Sequence, residues 1–193
     1  MKVTRLPKIG LVALAVSVSA PVLADEGMSY NFIEGSYIDT EIDDGLDVDG
    51  DGFGLSGSVE IGTNYFLTAS YSTQEFDFGI DLDQKSIGFG GYTPLSETID
   101  LVGSINYVDA EIDTRFGDAD DNGFGLGVGL RAQVAPNVEL EGGISYVDLD
   151  ESGDDTSLAL GGRYYFTEAF ALGAGVSFGD DVTSWNIGAR FEF

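Results

Sequence analysis

Segments of about ten residues recur along this chain in which large apolar side chains alternate with glycine, serine and a few charges, as in a membrane-spanning strand. Phe124, Leu126, Val128, Leu130 and Val134 alternate with Gly125, Gly127, Gly129, Arg131 and Gln133. The same holds for Phe53, Leu55, Val59 and Ile61 against Gly54, Ser56, Ser58 and Glu60. A period of two means a strand with two unlike faces. A soluble sandwich also alternates, but it turns its apolar face inward over a core of large side chains. Here the polar face is too small to make a core. The apolar face must therefore meet lipid, and the polar face an interior filled by water or by the opposite wall.

Ten such segments are predicted: 29–38, 53–61, 65–75, 85–93, 99–109, 124–134, 138–148, 157–166, 170–179 and 184–193. Short turns at 62–64, 94–98, 135–137 and 167–169 alternate strictly with acidic connections at 39–52, 76–84, 110–123, 149–156 and 180–183. Tight turns on one side and larger loops on the other are the layout of a transmembrane barrel. The prediction is an all-β, ten-stranded antiparallel barrel with both termini on the periplasmic side. Eight strands are the alternative if 29–38 and one other segment fail to pair. Segment 29–38 is ambiguous because Tyr30 and Phe32 share a parity with Glu34.

Aromatic residues fall at strand ends. Tyr37, Tyr71, Tyr107, Tyr146, Phe178, Phe53, Phe124 and Trp185 lie beside the acidic connections, and Tyr65, Tyr164, Phe166, Phe170, Phe191 and Phe193 beside the short turns. Two girdles of this kind mark the headgroup levels of a bilayer. The stretches Tyr37–Asp43 and Tyr107–Asp113 are near copies, each followed by Gly-Phe-Gly-Leu at 52–55 and 123–126. A duplicated hairpin explains the pattern.

Both ends of the chain point to export. Lys2, Arg5 and Lys8 precede an apolar run from Ile9 to Val18 and a small-residue site at Val22-Leu23-Ala24. These features predict a signal peptide over 1–24 and a barrel domain over 25–193. Cleavage would leave 34 acidic against five basic residues, a net charge of −29. Such a chain repels nucleic acid and has no basic patch for it. Cysteine and histidine are absent, so there is no disulfide framework, no thiolate metal site and no histidine general base. The expectation is a protein without catalytic activity.

At the C-terminus, Asn186, Gly188, Phe191 and Phe193 form a polar-x-Gly-x-x-aromatic-x-aromatic pattern. It resembles the terminal strand by which Gram-negative outer-membrane barrels are recognised for assembly. The whole mature chain resembles the small outer-membrane β-barrel proteins of OmpA/OmpX type. More closely, it is similar to the Ax-type proteins of xanthomonads and related gammaproteobacteria, through "SYNFIEGSY", "GFGLSGSV", "YSTQEFD" and "GARFEF". The resemblance implies a place in the outer membrane, lipid and lipopolysaccharide as neighbours, and barrel-assembly machinery and periplasmic chaperones as partners in biogenesis. It implies no catalytic residues.

Two groups of residues are candidate sites. Asp47, Asp49 and Asp51 before Gly52, and Asp118, Asp120 and Asn122 before Gly123, fit the opening of a calcium loop. The closing glutamate is missing in both, where Ser58 and Gly129 stand. The expectation is no resident cofactor, with weak Ca²⁺ or Mg²⁺ binding as the sharper alternative to solvated anionic loops. Inside the barrel, register counted from the turn centres sets Arg131 opposite Glu141, Gln133 opposite Glu139, and Arg163 opposite Glu141, with Arg190 and Glu192 on the closing strand. This lumen cluster predicts either a brace for the wall or a charged constriction. Two functions follow: surface interaction through acidic loops (adhesion, cation or lipopolysaccharide binding, envelope integrity), or a narrow, cation-favouring channel.

Overall fold

The computed structural model describes residues 28–43 and 47–193, with only the backbone of Asp47; the predicted signal peptide lies outside them. Ten antiparallel strands form one closed barrel: β1 (Phe32–Asp43), β2 (Asp47–Glu60), β3 (Tyr65–Phe76), β4 (Ile80–Ser96), β5 (Ile99–Thr114), β6 (Gly117–Ala135), β7 (Val138–Leu149), β8 (Gly153–Tyr165), β9 (Phe170–Phe178) and β10 (Val182–Glu192). Each strand pairs with its sequence neighbours. The wall closes where β1 meets β10, from Phe32 opposite Glu192 to Ile42 opposite Val182. Closure leaves no strand edge in the bilayer, where an unpaired backbone group would have no water to bond. The strand count is ten, and the eight-stranded alternative is not realised.

The predicted apolar residues face outward. Phe53, Leu55, Phe124, Leu126, Val128, Leu158, Leu160, Ile187 and Phe191 are all exposed on the barrel wall. Both aromatic girdles lie on this outer face, with Tyr37 against Phe53 at 5.6 Å and Tyr107 against Phe124 at 5.8 Å in edge contacts. The ambiguous first segment is resolved, since Tyr30 and Phe32 are buried inside the barrel, on the side of Glu34.

One expectation is corrected. The acidic connections predicted as loops are largely strand. β1 runs on through Asp39, Glu41 and Asp43, β5 through Glu111 and Asp113, and β6 begins already at Gly117. Tight turns close these hairpins, with positive φ at Phe78, Gly79, Gly117, Gly153 and Asp181. The physical reason is alternation that continues without a break. Ile38, Thr40 and Ile42 interleave with Asp39, Glu41 and Asp43, and the first three are buried. The barrel wall thus continues past the upper girdle into water.

Candidate functional site

The lumen is filled in layers. At the mouth formed by the acidic ends of the strands, Ile42, Phe76, Leu82, Ala110, Val147, Leu149 and Val182 converge from six strands into an apolar cluster, with Val48, Ile80, Val108 and Ile112 packed against it. Below it lies a polar layer. Thr40 Oγ1 donates to Gln74 Oε1 at 2.8 Å and lies 2.9 Å from Ser184 Oγ. Ser145 and Ser157 hydroxyls pair at 2.7 Å.

The half of the barrel nearer the chain termini holds the ion cluster. Arg131 and Glu141 are register partners, as are Gln133 and Glu139, both as predicted. Arg163, however, stands opposite Glu139 and not Glu141. The β7–β8 hairpin closes with Leu149 opposite Gly153, which shifts its centre by one residue and the pairing by two. Glu139 is therefore the centre. Arg131 donates to it through Nε at 3.1 Å and Nη2 at 2.5 Å, and Arg163 also pairs with it. Arg163 reaches Glu141 as well, at 2.9 and 3.1 Å. Gly161 makes this possible, because a Cβ there would sit 3.2 Å from Glu141 Oε1. Arg190 donates to Glu34 at 2.6 Å and lies 4.1 Å above the Phe32 ring. Tyr165 donates to Glu192 at 2.8 Å. Two-pronged Arg–carboxylate contacts out of water are strong when every charge has a partner. Arg131, with no solvent-exposed surface, is held in this way.

The residues just before β1 complete the seal. Tyr30 stacks with Phe66 (4.9 Å between ring centres) and with Tyr92 (4.1 Å), and the Arg131 guanidinium lies 4.9 Å from its ring centre. Its hydroxyl donates to Asp100 at 3.0 Å. Between polar layer and ion cluster remains a cavity of about 70 Å³, lined by Glu34, Gly127, Glu141, Ser145, Arg163 and Asn186 among others.

The calcium-loop residues are placed differently from the sequence expectation. Asp49 and Asp51 lie on β2, opposite Glu41 and Asp39. Asp118, Asp120 and Asn122 lie on β6, opposite Asp113, Glu111 and Asp109. An extended strand sets alternate residues on one face almost 7 Å apart, so one strand cannot wrap an ion as a turn does. Among the described residues no group of three acidic side chains is gathered as a metal site. The residue of the second motif with a defined partner set is Asp121, which accepts from the amides of Asn122 (2.8 Å), Glu151 (3.1 Å) and Ser152 (2.7 Å). Partial burial pushes its carboxyl up, but the Ser152, Glu151 and Asn122 hydrogen bonds outweigh that and hold it below its ordinary range. Asp121 thereby ties β6 to the β7–β8 turn.

Residues 10–178 match the outer membrane protein beta-barrel domain. The chain belongs to this family. Membership places it in the outer membrane of a Gram-negative envelope. Its fold is similar to that of an outer membrane channel from Pseudomonas putida F1 (TM-score 0.55, 10% identity, covering 87% of this chain and 97% of that one). Ail, the attachment invasion locus protein of Yersinia pestis, gives a TM-score of 0.44 at 17% identity, covering 86% and 100%. Among curated sequences, the immunoglobulin-binding protein EibA of Escherichia coli is 50% identical over 40 residues, 21% of this chain and 10% of that protein. The chain thus spans about a tenth of that relative's length.

At the C-terminus, Asn186 faces inward beside Gly175 and Gly188 stands opposite Ser36, while Phe191 and Phe193 are exposed on the outer face. Sequence reasoning missed Glu34, Asp100, Tyr165 and the entire apolar mouth. The signal for the mouth was present, since the strand parity carries straight through the acidic segments.

Proposed function

We propose that this chain is a closed, non-conducting, non-enzymatic barrel that acts by presenting an acidic wall outside the bilayer. Divalent cations would link that wall to the phosphorylated, anionic lipopolysaccharide beside it, contributing to envelope integrity. The observation that supports this reading is the filling of the lumen at both ends. Leu82 and Phe76 are buried at the mouth, and Arg131, Arg190 and Glu192 at the periplasmic end. Water reaches none of these freely, so a solute would have to break an apolar cluster and a paired ion network in turn. Conduction needs sites an ion can enter and leave.

Within the same reading, Asn186, Gly188, Phe191 and Phe193 serve as the signal for the barrel-assembly machinery after passage with periplasmic chaperones. On the same reading the chain is similar to the Ax-type outer-membrane proteins of xanthomonads and related gammaproteobacteria. The test is single-channel recording on refolded protein in planar bilayers. No unitary steps are expected. Reproducible cation-selective steps would replace the closed barrel by the channel reading.

A further inference from the structure

Two hairpin tips above the upper girdle carry aromatic rings that nothing covers. Phe116, in the β5–β6 turn, is 93% exposed, and Phe78, in the β3–β4 turn, 65%. Phe78 has φ 67° and Gly79 φ 71°. Phe78 is the middle residue of a three-residue turn, 77–79, between the paired Phe76 and Ile80, and a positive φ there favours Gly, Asn or Asp. A bulky side chain there is an outlier. Such strain at an exposed ring adds little to packing and points to function.

The two tips are fastened to each other. Ile80 stands opposite Thr114, and Arg115 Nη2 donates to the Phe78 carbonyl at 2.5 Å. Thr114 Oγ1 donates to the Gly117 carbonyl at 2.9 Å and accepts from the Phe116 amide at 3.2 Å. The backbones that carry both rings are therefore tied to each other, which lowers the entropy lost on binding. The wall beneath is acidic. Asp113 faces Asp81 on one side and Asp118 on the other, and Glu111 faces Asp83 and Asp120. The neighbouring basic groups are engaged: Arg115 with the Phe78 carbonyl, Lys85 with Asp109 (3.7 Å) and Glu111 (3.8 Å). Arg131, Arg163 and Arg190 are inside the lumen.

We propose that this Phe78–Phe116 crest docks a cationic polypeptide that carries apolar side chains beside its basic ones. The rings supply the apolar anchors and the acidic wall supplies attraction and orientation. A bare polycation would need only the acids, and lipopolysaccharide bridged by divalent cations would likewise use the acids and not the rings. The inference rests on the proposed outward display of this wall, and it does not require the lumen to be closed.

The test uses the whole barrel in phosphatidylcholine nanodiscs free of lipopolysaccharide. The probes are a synthetic amphipathic Lys/Leu peptide and poly-lysine, with empty nanodiscs as background. For the Phe78→Ser, Phe116→Ser double variant, peptide affinity should fall about tenfold or more while poly-lysine binding is unchanged. Phe78→Asn suits the turn, so its unfolding midpoint should hold or rise while peptide binding weakens. Equal peptide affinity for wild type and both variants, or no binding above background by wild type, overturns the proposal. Conductance decides the closed-barrel reading separately.

Discussion

Between its two aromatic girdles the barrel carries its apolar side chains outside, whereas above the upper girdle it carries them inside. The strands are the same strands, and their parity does not change. On β1 the outward series runs Ile33, Tyr37, then Asp39 and Glu41, while the inward series runs Glu34, Ser36, then Ile38 and Ile42. On β5 the switch falls between Tyr107 and Asp109. What changes is the solvent. Lipid rewards apolar surface on the outer face and leaves the interior to hydrogen-bonded polar groups. Water rewards the opposite arrangement, so the protruding rim is built like a small soluble barrel around a greasy core.

Truncations inside the rim should show the largest effect that separates the two regions. Leu82→Ala, in the buried cluster, should cost about 2–5 kcal/mol by opening a cavity. Leu126→Ala on the lipid face should cost far less, because lipid chains fill the gap. Urea titration of both variants in the same detergent checks this; equal losses would mean that the rim has no core of its own.

Charge placed on the outer face sharpens the same contrast. Leu160→Arg puts a guanidinium against the mid-bilayer and should cost roughly 2–4 kcal/mol. Asp113→Arg, outward on the rim, should be tolerated or mildly stabilising, since it relieves repulsion across to Asp81 and Asp118. Refolding yield into lipid vesicles and heat-modifiable gel mobility read the difference. Similar behaviour of the two variants would move the boundary between band and rim.

The smallest effect concerns ions at the rim. The acids of the two calcium-like motifs lie along strands, so NaCl and CaCl₂ at equal ionic strength should raise the unfolding midpoint alike, by screening. An added increment from millimolar Ca²⁺, lost when Asp49, Asp51, Asp118, Asp120 and Asn122 become Ser, would show that these side chains gather into a ligand shell after all.

Much of the barrel was legible residue by residue. Alternation of Phe124, Leu126 and Val128 with glycines specified a lipid face, because a glycine face cannot fill a core. The centre of the 135–137 turn set Arg131 opposite Glu141, and the pairing holds because a bulge between Gln133 and Ala135 offsets the tighter closure of Ala135 on Val138. Where the connection was longer, the count failed. One residue of error in the centre of the β7–β8 hairpin exchanged Glu141 for Glu139 as the partner of Arg163. Acidic composition masks strand at 39–52 and 110–123, since Asp and Glu disfavour strands on average while the interleaved Ile42 and Ala110, with Ile112 packed beside them, form an inward apolar face.

Sequence alone determined which face meets lipid on the strands where large apolar residues alternate with glycine and serine, though not on the first, that the strands pair with their neighbours, and that the chain is strongly anionic. Those properties are local, set by period two and by turn length. Only the tertiary structure decided that the lumen is filled, that Glu139 binds two arginines, and that Tyr30 reaches from before β1 into a stack with Phe66 and Tyr92. Closure brings together side chains separated by up to 156 residues, as in Arg190 and Glu34. No local pattern encodes which of them meet, because the stagger of the closed sheet sets their level inside the barrel.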